Sequence, residues 1–275
     1  MIKVDNLSKR FGNKIALEDI SFDIKEGEIF GFLGPSGAGK TTTINILTGQ
    51  LSQDSGKAYI LNKESNRLLP SDFLNIGIMS DTVGFYGKMT VYKNLQFFAK
   101  YHNVSLDELD VLLKELELFE DKDKKAEKLS TGMKQRMLLI RSILHHPKIL
   151  FLDEPTSGLD PALSNKVHDI LLNLKNEGTT IFLTTHDMSE ATKICDRISL
   201  LNSGHILEYG SPQEIIDKYS QQDKAIIRFK NGDSIMVSQV EAAKYLGGSD
   251  VASVHTLENT LEDIFIKISE DSKNA

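Results

Sequence analysis

The sequence predicts an α/β fold with a mainly parallel central sheet, and three observations carry that prediction. Residues 28–33, 76–81, 149–152 and 180–185 are short, largely apolar runs, the pattern of buried strands. Between them lie stretches with helical spacing at residues 42–48, 106–119, 131–144 and 161–177. Leu109, Leu112, Leu113 and Leu116 form one apolar face of such a helix. Finally, the loop Gly34-Pro35-Ser36-Gly37-Ala38-Gly39-Lys40-Thr41-Thr42 joins the strand at 28–33 to the helix at 42–48.

That loop fits the spacing G-x-x-x-x-G-K-[ST], which binds phosphate. A triphosphate is a dense anion. Glycines let several backbone N–H groups converge on one hollow, and the new helix adds its unpaired N–H groups and positive dipole end. Lys40 offers a mobile cation for the β- and γ-phosphates, and the Thr41 hydroxyl can ligate Mg²⁺.

The remaining elements follow in order. Residues 2–4 and 15–24 read as strands, with Phe11-Gly12 between them. Phe11 is an aromatic that could stack on adenine or cap the sheet at a turn. Asp54-Ser55-Gly56 marks a turn before a strand at 57–61. From Thr90 the pattern turns helical, with Val91, Leu95, Phe98 and Ala99 on one face, so residues 85–147 are expected to form a helical insert between strands. Residues 120–128 carry charges of both signs and read as a solvated connection. Pro161 opens the helix that Gly178 follows. A strand at 180–185 delivers His186. A helix at 188–195, a hairpin at 197–209 turning on Asn202-Ser203-Gly204, and a helix at 212–219 complete the larger unit. Residues 221–275 read as a small α+β appendage, with a hairpin at Asn231-Gly232, helices at 240–245 and 260–268 and a strand at 251–254, ending in six frayed polar residues.

The 275-residue length allows one large domain with a small companion. Its net charge of −7 argues against nucleic acid as the main ligand. One cysteine, Cys195, permits no internal disulfide. The start, Met1-Ile2-Lys3-Val4-Asp5, lacks the apolar core of a signal peptide, and no apolar run reaches the roughly 18 residues of a membrane span. The expected location is cytoplasmic.

Downstream of the loop, Asp153 closes an apolar strand, where a carboxylate supports Mg²⁺ beside bound phosphates. Glu154, next to it, is placed to accept a proton from an attacking water. Leu129-Ser130-Thr131-Gly132-Met133-Lys134-Gln135-Arg136 sets a serine and a glycine at a helix start, which alone reads as a cap. Ser157-Gly158-Leu159-Asp160 follows the Asp153 strand, and a strand-end histidine such as His186, taken alone, is a packing or capping residue.

Together and in order, these residues resemble the nucleotide-binding subunit of ATP-binding cassette (ABC) transporters, over roughly residues 2–219. The resemblance implies a P-loop NTPase with a mainly parallel central sheet, an antiparallel β subdomain and an inserted helical subdomain. Residues 1–220 would form the ATPase domain and 221–275 the small accessory domain. Phe11 matches the adenine-stacking aromatic. Gly34, Pro35, Ser36, Gly37, Ala38, Gly39, Lys40, Thr41 and Thr42 match the phosphate loop. Ser130 and Gly132 match the signature, Asp153 and Glu154 the Mg²⁺-supporting and catalytic carboxylates, Asp160 the linking loop and His186 the switch histidine.

Two departures stand out. Thr131 and Met133 replace the first glycine and the glutamine of the usual Leu-Ser-Gly-Gly-Gln signature. Asp81 stands where the family presents a glutamine to Mg²⁺ and water; it is shorter, charged and, when ionised, unable to donate a hydrogen bond.

The family implies ATP and Mg²⁺ as cofactors and a head-to-tail homodimer that shares two ATP molecules. It also implies an integral-membrane permease as partner, which holds the ATPase on the inner face of the membrane. Leu257-Glu258-Asn259-Thr260-Leu261-Glu262-Asp263-Ile264-Phe265 resembles the end of drug and antibiotic-peptide exporter subunits, so export is the expected direction. The alternatives are a soluble ATP switch in assembly, repair or regulation, and an importer ATPase.

Overall fold

The computed structural model describes residues 1–80, 84–219, 224–256 and 259–274. It divides into two compact units, Met1–Glu208 and Tyr209–Ala275.

The first unit begins with β1 (Ile2–Phe11) and β2 (Lys14–Ile24), an antiparallel pair. Then come β3 (Ile29–Leu33), α1 (Lys40–Leu47), β4 (Ser55–Ile60), the two-residue β5 (Lys63–Glu64) and β6 (Ile76–Met79). Among the described residues three α-helices follow before the next strand: α2 (Val91–Tyr101), α3 (Leu106–Glu115) and α4 (Thr131–Ile143). Each starts on a hydroxyl cap, with Thr90, Ser105 and Ser130 accepting from the backbone N–H three residues on. The unit continues with β7 (Ile149–Asp153), α5 (Pro161–Asn176), β8 (Thr180–Thr185), α6 (Met188–Ile194) and β9 (Arg197–Asn202), and the hairpin strand β10 (His205–Gly210) follows.

Two sheets result. One is antiparallel, in the order β2-β1-β4-β5. The other runs β10-β9-β3-β8-β7-β6, and its stretch from β9 to β6 is parallel. β3 and β8 are buried throughout and β7 as far as Leu152, which explains why their sequences are continuous apolar runs rather than alternating ones. Phe22 on β2 joins the sheets: its ring centroid lies 5.3 Å from Phe30, 5.4 Å from Phe32 and 6.1 Å from Phe182.

The second unit holds α7 (Pro212–Tyr219), then β11 (Lys224–Phe229), β12 (Ser234–Ser238), α8 (Gln239–Ala242), β13 (Val251–Thr256) and α9 (Leu261–Asn274). Its sheet has the order β12-β11-β13 around Ala225 and Ile227. Thr260 and Asp263 exchange hydrogen bonds with each other's backbone N–H groups, a capping box that opens α9. The terminal residues expected to fray are helical as far as Asn274.

Far from the carboxyl edge of the sheet, His145 follows α4, with Nε2 3.2 Å from the Ile76 carbonyl oxygen and its ring stacked 4.1 Å from that of His102. Burial first, then the neighbouring His102 and His146, pushes the His145 imidazole down to about 4. The unfolded chain therefore takes up this proton first as the pH falls. The stability contribution is complete above about pH 6.5 and is lost between there and pH 4. Discounted for partial exposure, the loss is about 1–2 kcal/mol. Urea midpoints at pH 7 and pH 4.5 should move closer together in His145→Gln than in wild type; an unchanged gap would contradict this account.

Candidate active site

Three parallel strands deliver the site from their carboxyl ends, the edge where open α/β sheets bind ligands. β3 runs into Gly34, β7 ends at Asp153 with Glu154 next, and β8 ends at Thr185 with His186 next.

The glycine loop turns sharply into α1. Gly39 sits at φ +119°, in the region that favours glycine, and precedes the first helical residue, Lys40. Gly34 is required by proximity, because a Cβ there would lie 2.2 Å from the Leu201 carbonyl oxygen. Lys40 curls over the loop and donates to the carbonyl oxygen of Gly34 at 2.6 Å. Its ammonium also lies 3.3 Å from Glu154 Oε1, with side-chain exposures of 6% for Lys40 and 29% for Glu154. The other carboxylate oxygen of Glu154, Oε2, lies 3.0 Å from His186 Nδ1. Glu154 is thus bracketed by a lysine and a histidine, both predicted as site residues.

Beside it, the Thr41 hydroxyl donates to Asp153 Oδ2 at 2.8 Å, and Thr184 donates to Asp153 Oδ1. The pair Thr41–Asp153 gathers hard oxygen donors of the kind Mg²⁺ takes. Phe11, half exposed, lines the same cavity of about 300 Å³ as Lys14, Ser36, Gly37, Lys40 and Glu154.

Ser130 and Gly132 line neither this cavity nor the adjacent one beyond Glu154. Ser130 caps α4, its Oγ accepting from Met133 N at 3.3 Å. Gly132 lies against the loop after β7, where a Cβ would stand 3.0 Å from the Gly158 carbonyl oxygen. Asp160 caps α5, accepting from Ala162 N and Leu163 N at 3.0 Å each. Asp81 lies outside the described residues.

Sequence reasoning missed several supports. Glu154 has φ +50°, and two contacts hold that backbone: Glu154 N donates to the Thr184 carbonyl oxygen at 3.0 Å, and Gln135 Nε2 donates to the Glu154 carbonyl oxygen at 2.7 Å. Thr156, two residues beyond Glu154, donates to the buried Glu190 at 2.8 Å. No local pattern announces pairings across 19 and 34 residues.

A phosphate loop at a strand end, a carboxylate beside its hydroxyl and a second carboxylate against its lysine define a P-loop ATPase cassette. Residues 17–157 match the ABC transporter family model. This chain belongs to that family and is the ATP-binding, ATP-hydrolysing subunit of an ABC transporter. The fluoroquinolones export ATP-binding protein of Mycobacterium tuberculosis is 36% identical over 286 residues, which cover 98% of this chain and 93% of that protein. Nod factor export ATP-binding protein I of Bradyrhizobium diazoefficiens is 32% identical, over 98% of this chain and 96% of its own. The Fe(3+) ions import ATP-binding protein FbpC of Fusobacterium nucleatum is 37% identical, over 79% of this chain and 60% of its own. Among solved structures, a dimeric ATP-binding cassette in a post-hydrolysis state with ADP and Pi aligns at TM-score 0.69 and 27% identity, covering 77% of this chain and 98% of that one.

Proposed function

We propose that this chain powers export through a separate membrane permease, working as a head-to-tail pair closed by ATP. The carrying observation is the Lys40–Glu154–His186 cluster beside the Thr41–Asp153 pair. In this reading the N–H groups of the glycine loop and Lys40 hold the β- and γ-phosphates. Thr41 and Asp153 would hold Mg²⁺, which would supply positive charge against the phosphates. Glu154 takes the proton of the attacking water, and His186 keeps water and γ-phosphate in line. Phe11 stacks on adenine. Because Ser130 and Gly132 line neither cavity of their own chain, they are assigned to the ATP held by a second copy.

For the permease, the supporting feature is an aromatic surface on the helical segment. Tyr86 is 53% exposed and Phe97 50%, and their rings meet edge to face at 6.0 Å. Buried Asn94 accepts from Tyr86 N and donates to the Tyr86 carbonyl oxygen, while Arg141 donates to the Gly84 carbonyl oxygen. A rigid base under exposed aromatics suits protein docking. Among the described residues no helix is long and apolar enough to cross a membrane, so the path for cargo is assigned to the partner.

Export is favoured over import by span. The fluoroquinolones export and Bradyrhizobium Nod factor export relatives align over 98% of this chain, including the second unit, whereas the iron importer aligns over 79%. Tagged protein expressed with its neighbouring genes should co-purify with an integral membrane protein, and inverted vesicles holding both should accumulate cargo on ATP. Recovery without any such partner, or ATP-driven movement in the opposite direction, would contradict the proposal.

A further inference from the structure

α5 buries an imidazole beside its apolar stripe. Val167, Ile170, Leu171 and Leu174 on α5 are core residues, and His168, next to Val167 in the chain, is also buried, at 6% exposure. Its Nε2 lies 3.0 Å from Oε1 of Glu190, itself 3% exposed. That same Oε1 accepts from the Thr156 hydroxyl at 2.8 Å. One carboxylate oxygen therefore ties three segments together. Thr156 is two residues past Glu154, Glu190 is in the first turn of the helix that begins just after His186, and His168 is on the helix that Asp160 caps. Asp187 fixes that first turn by accepting from Ser189 N and Glu190 N. A cavity of about 550 Å³ borders the knot, and Glu154, Ser157, His168, His186 and Glu190 all line it.

We propose that His168 is a positioning residue for hydrolysis. With its Nε2–H donated to Glu190, it holds the carboxylate on which Thr156 hangs, and so sets Glu154 against His186. The proposal rests on the roles given to Glu154 and His186 above. The physical reason is the state of Glu190: a buried carboxylate needs its donors, and here they are one imidazole N–H and one hydroxyl. Among the described residues, Oε2 of Glu190 and Nδ1 of His168 have no hydrogen-bond partner, so losing the imidazole donor leaves Thr156 alone to hold the group. The carboxylate is then free to turn toward the cavity, carrying the Glu154 loop with it. A small displacement of a base costs turnover far more than it costs substrate binding.

The test compares His168→Phe, which fills the volume without a donor, with His168→Gln, which retains an N–H donor. Full-length variants are assayed for kcat and KM with MgATP, and for Tm. His168→Phe should lose about fivefold or more in kcat with KM within about twofold, and His168→Gln should recover at least half of the lost rate at a similar Tm. Wild-type kcat in His168→Phe, or equal losses in both variants that follow Tm, would overturn the proposal. Thr156→Val removes the second donor to the same oxygen and decides the matter if His168→Phe does not fold: a kcat loss at unchanged KM supports the knot, and full kcat rejects it. The two readings fail separately. Full turnover in Glu154→Gln removes the base itself, whereas loss there with wild-type kcat in His168→Phe removes only the positioning role.

Discussion

Glu154→Gln is expected to bind ATP yet hydrolyse it at least about 100-fold more slowly than wild type, the usual range for loss of a general base. The substitution preserves shape and hydrogen-bonding reach, so contacts to Lys40 and His186 can be kept while the proton acceptor is gone. It also removes a negative charge from beside the γ-phosphate, which favours the closed, ATP-bound state. Hydrolysis releases the pair in this mechanism, so the variant should accumulate as a dimer when ATP is present. Steady-state phosphate release and gel filtration with and without ATP check both halves. An active variant that stays monomeric contradicts the assigned base.

Lys40→Ala is expected to lose about 100-fold or more in kcat/KM for ATP, roughly 2.7 kcal/mol of transition-state stabilisation. Lys40 is buried at 6%, and its ammonium is held between the Gly34 carbonyl oxygen and Glu154. A buried cation beside a phosphate loop has strong leverage because little water screens it. Alanine also leaves Glu154 without its cationic neighbour, so part of the effect acts through the base. Nucleotide titration alongside the ATPase assay separates binding from turnover, and a Tm measurement controls for folding. Full activity in Lys40→Ala removes the phosphate loop from the mechanism.

Most of the candidate site was legible because its logic is local. β3, β7 and β8 are apolar runs of the length of buried strands, and each leads directly into residues of the candidate site. Less legible features depend on contacts distant in sequence. β1 was expected to span residues 2–4 but runs from Ile2 to Phe11. Irregular register between Val4 and Leu7, and again between Leu7 and Lys9, breaks the alternation that marks a strand. The expected helix at 106–119 stops at Glu115, although Leu116 and Leu118 continue the apolar pattern. Glu117 adopts φ +53°, and Leu118 N returns to the Leu113 carbonyl oxygen, so those leucines fill the core from a turn rather than from a helix.

Gln135, His168 and Glu190 show the same limit within the site. Gln135 sits in the signature helix, yet its amide holds the Glu154 backbone, and nothing in the motif itself points to that contact. With Gly132 packed against Gly158, this places the segment assigned to one ATP in contact with the loop that carries the base for the other. In the proposed mechanism this contact would couple closure to hydrolysis within one chain, through side chains whose partners the linear order does not reveal.

In the proposed mechanism each ATP is enclosed by two copies of this chain. The structure of Glu154→Gln with MgATP tests it most directly. A head-to-tail pair is expected, in which Ser130 Oγ and the Gly132 N–H of one copy lie about 3 Å from γ-phosphate oxygens on the other copy's glycine loop. A bound nucleotide whose γ-phosphate is approached by neither Ser130 nor Gly132 of a second copy would contradict it.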